Sequence, residues 1–136
     1  MNIGYFLENY SQADCFVEFT PQEVRILNKL VDWKRAYIYI LCVDNQIVYI
    51  GYSGVIHYRL KCHQRHIKFD TAYIAMLDND MSFEDQLKME RQVIDFANPI
   101  LNDTNFTAYE KYNRGGAKTL EYILGYMECM DKFKIA

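Results

Sequence analysis

Apolar residues occur along the chain in two kinds of segment, which predict two kinds of secondary structure. Short apolar runs rich in Ile, Val and Tyr are typical of β-strands, whereas apolar residues repeated every three or four positions are typical of helices. The predicted strands are 36–42, 46–51 and 71–77, and the predicted helices are about 21–33, 55–67, 82–97 and 117–133. This order predicts an α/β (α+β) fold, in which helices flank a small three-stranded sheet that is mixed or antiparallel.

Local signals mark the ends of two predicted helices. Thr20 is a good N-cap, Pro21 suits the first helical position, and Glu23 completes a capping box. Ser82 begins a later helix, which Pro99 ends. Residues 1–19 give no clear pattern, although 15–19 are compatible with a short strand.

Length, charge and cysteine content narrow the class of protein. The chain has 136 residues, of which 51% are hydrophobic, so it is suited to one domain with a proper core. Its net charge of -3 gives no global positive field, and any anion site must be local. The four cysteines show no C-x-x-C spacing, which favours free thiols in a reducing cytosol. No apolar run reaches the ~20 residues of a membrane helix and no signal peptide is evident, so a cytoplasmic protein is expected.

The first two predicted strands form a hairpin with two tyrosines ten residues apart, Tyr39 and Tyr49. Because side chains alternate between the faces of a strand, the register decides whether these tyrosines share a face. A two-residue turn at Asp44-Asn45 would separate them, whereas an odd-length loop over 43–45 would pair them directly. Asn45 tolerates the left-handed conformation that the longer loop needs, so we expect that loop. The ordinary alternative is two half-buried strand aromatics.

Three side chains occupy unusual places in the predicted helices. Glu90 falls between Leu87 and Ile94 in an apolar stripe, where a carboxylate is costly unless it is paired or binds a metal. Arg59 and His63, one helical turn apart, lie along the edge of another apolar stripe. The ordinary alternatives are an ion pair between Arg59 and Glu90, and a histidine whose bonds are satisfied at the core edge.

These residues, in this order, resemble the GIY-YIG nuclease superfamily. The first motif is degenerate, since Tyr37-Ile38-Tyr39 stands in place of Gly-Ile-Tyr, while Tyr49-Ile50-Gly51 is intact. The resemblance continues through Ser53, Arg59, His63, Glu90, Pro99 and Asn102. Within the single domain expected over 1–136, it implies a GIY-YIG-like catalytic core at 36–103, which leaves an N-terminal extension at 1–35 and a C-terminal helical extension at 104–136.

The resemblance implies a metal-dependent endonuclease that hydrolyses phosphodiester bonds in DNA. Glu90 would hold one Mg²⁺ or Mn²⁺, as is usual for a hard cation bound by one carboxylate. Tyr39 would be the general base, and Tyr49 would orient the attacking water or share its proton. Arg59 would clamp the phosphate, and His63 would hydrogen-bond a tyrosine or the phosphate. Asn102 would position the metal-bound group or brace the active-site loop.

DNA, either duplex or structured, is the implied partner, and a homodimer would be needed to cut both strands because one site cuts one strand. The basic residues proposed to contact DNA are Lys61, Arg65, Lys68 and Arg114. Two alternatives remain open: a catalytically silent binding or regulatory module of the same fold, and a nuclease acting on RNA. A zinc site is disfavoured, because four tetrahedral ligands at normal spacing are not supplied by Cys62, His63 and His66.

Overall fold

A computed structural model of the protein describes residues 1–27, 35–64 and 67–102. Four helices are present in these ranges: α1 (Ile3–Asn9), α2 (Pro21–Val24), α3 (Ile56–Gln64) and α4 (Phe83–Ala97). The four strands are β1 (Val17–Phe19), β2 (Tyr37–Val43), β3 (Gln46–Ser53) and β4 (Thr71–Met76). Short 3₁₀ turns cover Ala13–Cys15 and Ile100–Asn102. The helix expected at 117–133 lies outside the described residues.

The strands form one open antiparallel sheet in the order β1-β4-β2-β3. The predicted α+β architecture is confirmed, and the three predicted strands are β2, β3 and β4. The predicted strand count was too small, because β1 pairs with β4 and makes a fourth strand. β1 has only three residues, of which Val17 and Glu18 are exposed, so its sequence carries little of the alternation that identifies a longer strand.

The β2–β3 hairpin corrects the expected loop. Its turn has two residues, Asp44 and Asn45, with φ of 50° and 63°, the double left-handed geometry of a tight hairpin turn. The odd-length loop over 43–45 was therefore a wrong prediction. A two-residue turn alone would place Tyr39 and Tyr49 on opposite faces of the sheet. It does not do so here, because a β-bulge leaves Val48 without a partner between the pairs Cys42–Ile47 and Leu41–Tyr49. The extra residue shifts the register by one and returns Tyr49 to the face of Tyr39.

Helix ends agree with their local signals, but helix lengths differ. The capping box of Thr20 and Glu23 is formed by reciprocal hydrogen bonds. α2 nevertheless ends at Val24, earlier than expected, and residues 28–34 lie outside the described ranges. Ser82 caps α4 by accepting from the Asp85 N–H, and the left-handed Asn98 ends it. α3 covers Ile56–Gln64, residues 65 and 66 lie outside the described ranges, and Ile67 is no longer helical.

The sheet separates two apolar layers. One layer lies under α3 and contains Ile56, Leu60 and Ile67, which confirms the stripe expected there. The other layer lies under α1 and α4 and includes Phe6 and Val93.

The stripe expected on α4 is rotated. Val93 and Ala97 are buried, whereas Phe83 and Leu87 remain 64% and 39% exposed. The cause is long-range, because Phe96 packs against Phe6 and Tyr10, which come from the unpredicted α1 and its C-cap. Glu90, one turn before Ile94, is half-buried on this inner side of α4.

Candidate active site at the edge of the sheet

Two tyrosines and a histidine form a compact cluster on the α3 side of the sheet. The ring centroid of Tyr49 lies 4.9 Å from that of His63 and 6.1 Å from that of Tyr39. The hydroxyl of Tyr39 and Nε2 of His63 are 2.8 Å apart in a buried hydrogen bond, whose donor depends on the imidazole tautomer. Tyr39 and His63 are buried, while Tyr49, on the edge strand β3, is half-buried. The cluster thus joins β2, β3 and α3 and has its outer end at Tyr49.

Gly51 makes room for this cluster. It pairs with Tyr39 across the hairpin, and the Tyr39 ring lies directly over it. A Cβ at position 51 would collide with the hydroxyl and ring carbons of Tyr39. The glycine of the intact motif therefore has a local steric reason, namely close approach of a ring to the backbone.

Arg59 brings positive charge to the tyrosines. It lies on α3 one turn before His63 and is exposed, and a hydrogen bond with Tyr39 is the main cause that raises its pKa. Burial raises the pKa of Tyr49, an effect that the charge of Arg59 opposes and that of Glu90 reinforces. Hydrogen bonds with Tyr39 and Arg59 also lower the pKa of Tyr49 without offsetting its burial. Tyr49 is therefore a neutral phenol at neutral pH.

Glu90 is a half-buried carboxylate at the edge of the sheet. Burial raises its pKa, and the neighbouring Arg91 opposes this only in part. The charge of Glu90 also raises the pKa of Tyr49 and of Tyr52. Because the side chains of these two tyrosines lie on opposite faces of β3, we infer that Glu90 lies beside the edge of this strand. Within the described ranges no hydrogen bond or ion pair holds this carboxylate, and the alternative ion pair with Arg59 is not formed there.

The single carboxylate of Glu90 fits a hard divalent cation better than a softer metal such as zinc or copper. In the part of the chain that the structure describes, no three His, Cys, Asp or Glu side chains are grouped to hold a metal. A desolvated single carboxylate suits Mg²⁺ or Mn²⁺, which retain waters and bind substrate phosphate as further ligands. The zinc alternative gains nothing, since His63 is bonded to Tyr39 and His66 lies outside the described residues.

The described cysteines agree with the expectation of free thiols. Cys15, Cys42 and Cys62 are free, and Cys129 lies outside the described residues. Burial is the main cause that raises the pKa of the Cys42 thiol to about 12. This thiol therefore stays protonated and is a poor metal ligand.

Asn102 completes the exposed edge of β3. Its Oδ1 accepts from the Ile50 N–H at 2.9 Å, and its Nδ2 donates to the Ile50 carbonyl at 2.8 Å. The side-chain amide of Asn102 thus makes, beside Tyr49, the pair of backbone hydrogen bonds that a neighbouring strand would make. Of the two roles that the resemblance implies for Asn102, this geometry supplies the bracing role.

The remaining sequence-predicted residues are less informative. Lys61 and Lys68 are exposed, while Arg65 and Arg114 lie outside the described residues. One contact beside the site was not predicted from the sequence: the hydroxyl of Tyr52 donates to Oε1 of Gln86 at 2.6 Å. Two signals pointed to it: Tyr52 directly follows the motif glycine, and Gln86 precedes Glu90 by one helical turn.

A scan against protein-family models found no match, and searches of the curated proteins and of the solved structures found no significant match either. No helix within the described ranges has the length and apolar character needed to cross a bilayer.

Proposed function

We propose that this protein is a metal-dependent endonuclease that hydrolyses phosphodiester bonds in DNA. The observation that carries the proposal is a convergence of side chains from distant parts of the chain. Tyr39, Tyr49 and His63 are joined with Arg59 on one side of the sheet, and the charge of Glu90, whose carboxylate forms no hydrogen bond or ion pair with the described residues, acts on Tyr49. Phosphodiester hydrolysis needs a group that accepts the proton of the attacking water, a cation that binds the phosphate, and a carboxylate that can hold a metal ion. This set of side chains supplies all three.

The two tyrosines differ in burial, and this difference suggests a different role for each. Tyr49 is half-buried and reaches the solvent side, whereas Tyr39 is fully buried and hydrogen-bonded to both Tyr49 and His63. Tyr49 accepts the proton of the attacking water as it passes its own hydroxyl proton to Tyr39, and Tyr39 in turn passes its hydroxyl proton to Nε2 of His63. This order moves the water-facing role from Tyr39, the general base that the resemblance implies, to Tyr49. No free phenolate is needed, because the final acceptor of the proton is the imidazole of His63, whose Nε2 lies 2.8 Å from the Tyr39 hydroxyl.

Arg59 and Glu90 provide the charges. The exposed guanidinium of Arg59 can bind non-bridging phosphate oxygens in a bidentate manner, while its link to Tyr39 keeps it beside the proton path. Glu90 would hold Mg²⁺ or Mn²⁺, which when bound supplies Lewis-acid stabilisation of the phosphate charge.

The test is cleavage of supercoiled plasmid with Mg²⁺, with Mn²⁺ and with chelator. Wild-type protein should cleave only with the metals, and Glu90→Ala should abolish cleavage while its circular dichroism spectrum stays that of the wild type. Glu84→Ala is the matched control, because Glu84 is an exposed carboxylate on the same helix, paired with Lys88. Full activity of Glu90→Ala, or cleavage in chelator, would refute the proposal.

The same assay separates the two alternatives. Single-stranded DNA, a four-way junction and RNA are tested beside the plasmid. Binding without metal-dependent cleavage of any of them would identify a catalytically silent module, and cleavage of RNA alone would replace DNA as the substrate.

A further inference from the structure

The outer face of α3 carries an exposed aromatic side chain. The buried residues of this helix are Ile56, Leu60 and His63, and Tyr58 lies on the opposite side of it. Tyr58 is 63% exposed, and its side chain forms no hydrogen bond or ring contact with the described residues. Val55, which lies one turn earlier, is 50% exposed. The two side chains thus present apolar surface to solvent.

Positive charge accompanies this apolar surface. The sequence from 45 to 69 contains no Asp or Glu, although the net charge of the whole chain is -3. Arg59 directly follows Tyr58, and Lys61 lies one turn after Tyr58 on the same side of the helix. Both cations are exposed, and neither forms an ion pair with the described residues. The outer face of α3 is therefore complementary to an anionic ligand that also offers a flat apolar group.

The same helix joins this outer face to the candidate active site. On its inner side, Nε2 of His63 lies 2.8 Å from the hydroxyl of Tyr39. Between the two sides, Arg59 hydrogen-bonds Tyr39 and remains exposed. A DNA strand whose phosphate is bound by Arg59 therefore passes beside the ring of Tyr58, which belongs to the preceding residue.

An exposed ring beside a phosphate-binding cation favours an unpaired nucleotide as the ligand. A base stacks on an aromatic side chain through its flat face. In a duplex, the neighbouring base pairs cover both flat faces of each base, so only an unpaired or extruded base is free to stack on the protein.

We propose that the outer face of α3 binds DNA that has an unpaired nucleotide next to the scissile phosphate, with the ring of Tyr58 stacked on the unpaired base and Arg59 on the phosphate. The position of that phosphate at the site of cleavage rests on the proposed nuclease function. The stacking contact can be measured without metal and without cleavage.

The test compares two fluorescein-labelled DNAs by anisotropy in the presence of chelator: a duplex with a single-stranded flap, and the same duplex without the flap. Wild-type protein should bind the flapped DNA more tightly. Tyr58→Ala should weaken binding to the flapped DNA about tenfold, a typical effect of losing one base–aromatic stack, and should leave binding to the perfect duplex unchanged. Equal losses for both DNAs, or no loss for either, would overturn the proposal.

Three further variants separate stacking from other effects of the substitution. Tyr58→Phe keeps the ring and should bind the flapped DNA as the wild type does, whereas Tyr58→Leu keeps apolar surface without a ring and should bind as weakly as Tyr58→Ala. Tyr5→Ala is the matched control, because Tyr5 is 55% exposed on α1, and it should leave both affinities unchanged. Wild-type affinity of Tyr58→Leu, or an equal loss in Tyr5→Ala, would overturn the proposal.

Removal of single bases from the flap tests the contact from the DNA side. An abasic site is moved along the flap, and at one position it should weaken binding of the wild type about tenfold. The same abasic site should have no effect on Tyr58→Ala, since the ring and the base are two halves of one contact. Losses that simply add would overturn the proposal, as would a base-dependent effect confined to a flap made of RNA.

The outcomes distinguish the stacking contact from the nuclease. Coupling between Tyr58 and one base, in a protein that cleaves no DNA when metal is added, would support the contact and refute the nuclease. Metal-dependent cleavage by the wild type without such coupling would refute the contact and leave the nuclease intact.

Discussion

At the scale of single residues, burial has opposite consequences for Glu90 and Tyr49. It raises the pKa of both groups, and for Tyr49 this preserves the neutral phenol that a proton relay uses. For Glu90 it disfavours the ionised form that a cation would bind. The carboxylate is therefore a cost to the fold, and its removal should be felt in stability as well as in activity.

Glu90→Gln should abolish cleavage and raise the Tm at pH 7 by up to about 4 °C. The pKa of Glu90 is higher in the folded than in the unfolded chain, so ionisation penalises the folded state above both values. As pH falls through the folded and then the unfolded pKa, Glu90 becomes protonated in both states, and the advantage of glutamine should vanish below about pH 4. Thermal unfolding at both pH values checks this.

Glu84→Gln is the control for that comparison, because Glu84 is exposed and paired with Lys88. A Glu90→Gln protein with the wild-type Tm at pH 7, or with a gain that persists at low pH, would contradict the burial of this charge.

Gly51→Ala should lower the free energy of unfolding by about 1–3 kcal/mol, because the new Cβ would overlap the Tyr39 ring and force it to move. Gly54→Ala is the matched control, since a Cβ at that position meets nothing within 4 Å. Urea unfolding of the two variants measures the difference. Equal stability would mean that the Tyr39 ring does not lie over Gly51.

At the scale of elements, the hairpin combines a tight turn with a bulge. The left-handed pair Asp44-Asn45 makes the two-residue turn, and the unpaired Val48 restores the register. The face that Tyr49 occupies is thus set by Val48 rather than by loop length. A bulge of this kind also increases local twist, which suits an edge strand such as β3.

Asn45→Ala should destabilise the protein by about 1 kcal/mol, because the left-handed conformation at this position, with φ of 63°, is unfavourable for alanine. Asn45→Gly should be neutral or stabilising, since glycine adopts that conformation freely and Asp-Gly is a favoured hairpin turn. Chemical denaturation compares the two. An alanine variant as stable as the glycine variant would argue against the two-residue turn.

Much of the element pattern was predictable, and the exceptions have a common cause. The three longer strands and the caps of α2 and α4 depend on short-range signals, and they were located correctly. The buried side of α4 was assigned wrongly for Phe83 and Leu87, because it depends on contacts with α1, more than eighty residues earlier in the chain. Helical periodicity indicates that one side of a helix is apolar. Which residues of that side are buried depends on the elements that pack against it.

At the scale of the whole molecule, the charge distribution limits binding to nucleic acid. The net charge is -3, and two cations of α4 are already paired, Lys88 with Glu84 and Arg91 with Asp95. In the described part of the chain, α3 carries two exposed cations, Arg59 and Lys61.

Lys61→Ala should reduce the slope of log K for DNA binding against log salt by about 0.9, the effect of one lost phosphate contact on duplex DNA. Lys88→Ala, which removes a lysine from the paired surface of α4, should leave the slope unchanged. Fluorescence anisotropy across a salt series, in the absence of metal, measures both. Equal slopes for wild type and Lys61→Ala would exclude this face of α3 from the interface.

The sequence alone was sufficient for features governed by neighbouring residues: the strands of the hairpin, the helix caps, and the order of the six candidate site residues. It could not show that Tyr39 and Tyr49 lie on the same face of the sheet. The two-residue turn and the bulge shift the register in opposite senses, and the net register is known only once the strands are paired. Nor could it separate the buried Tyr39 from the half-buried Tyr49, or bring Tyr52 to Gln86, since burial and long-range hydrogen bonds exist only once the helices pack on the sheet.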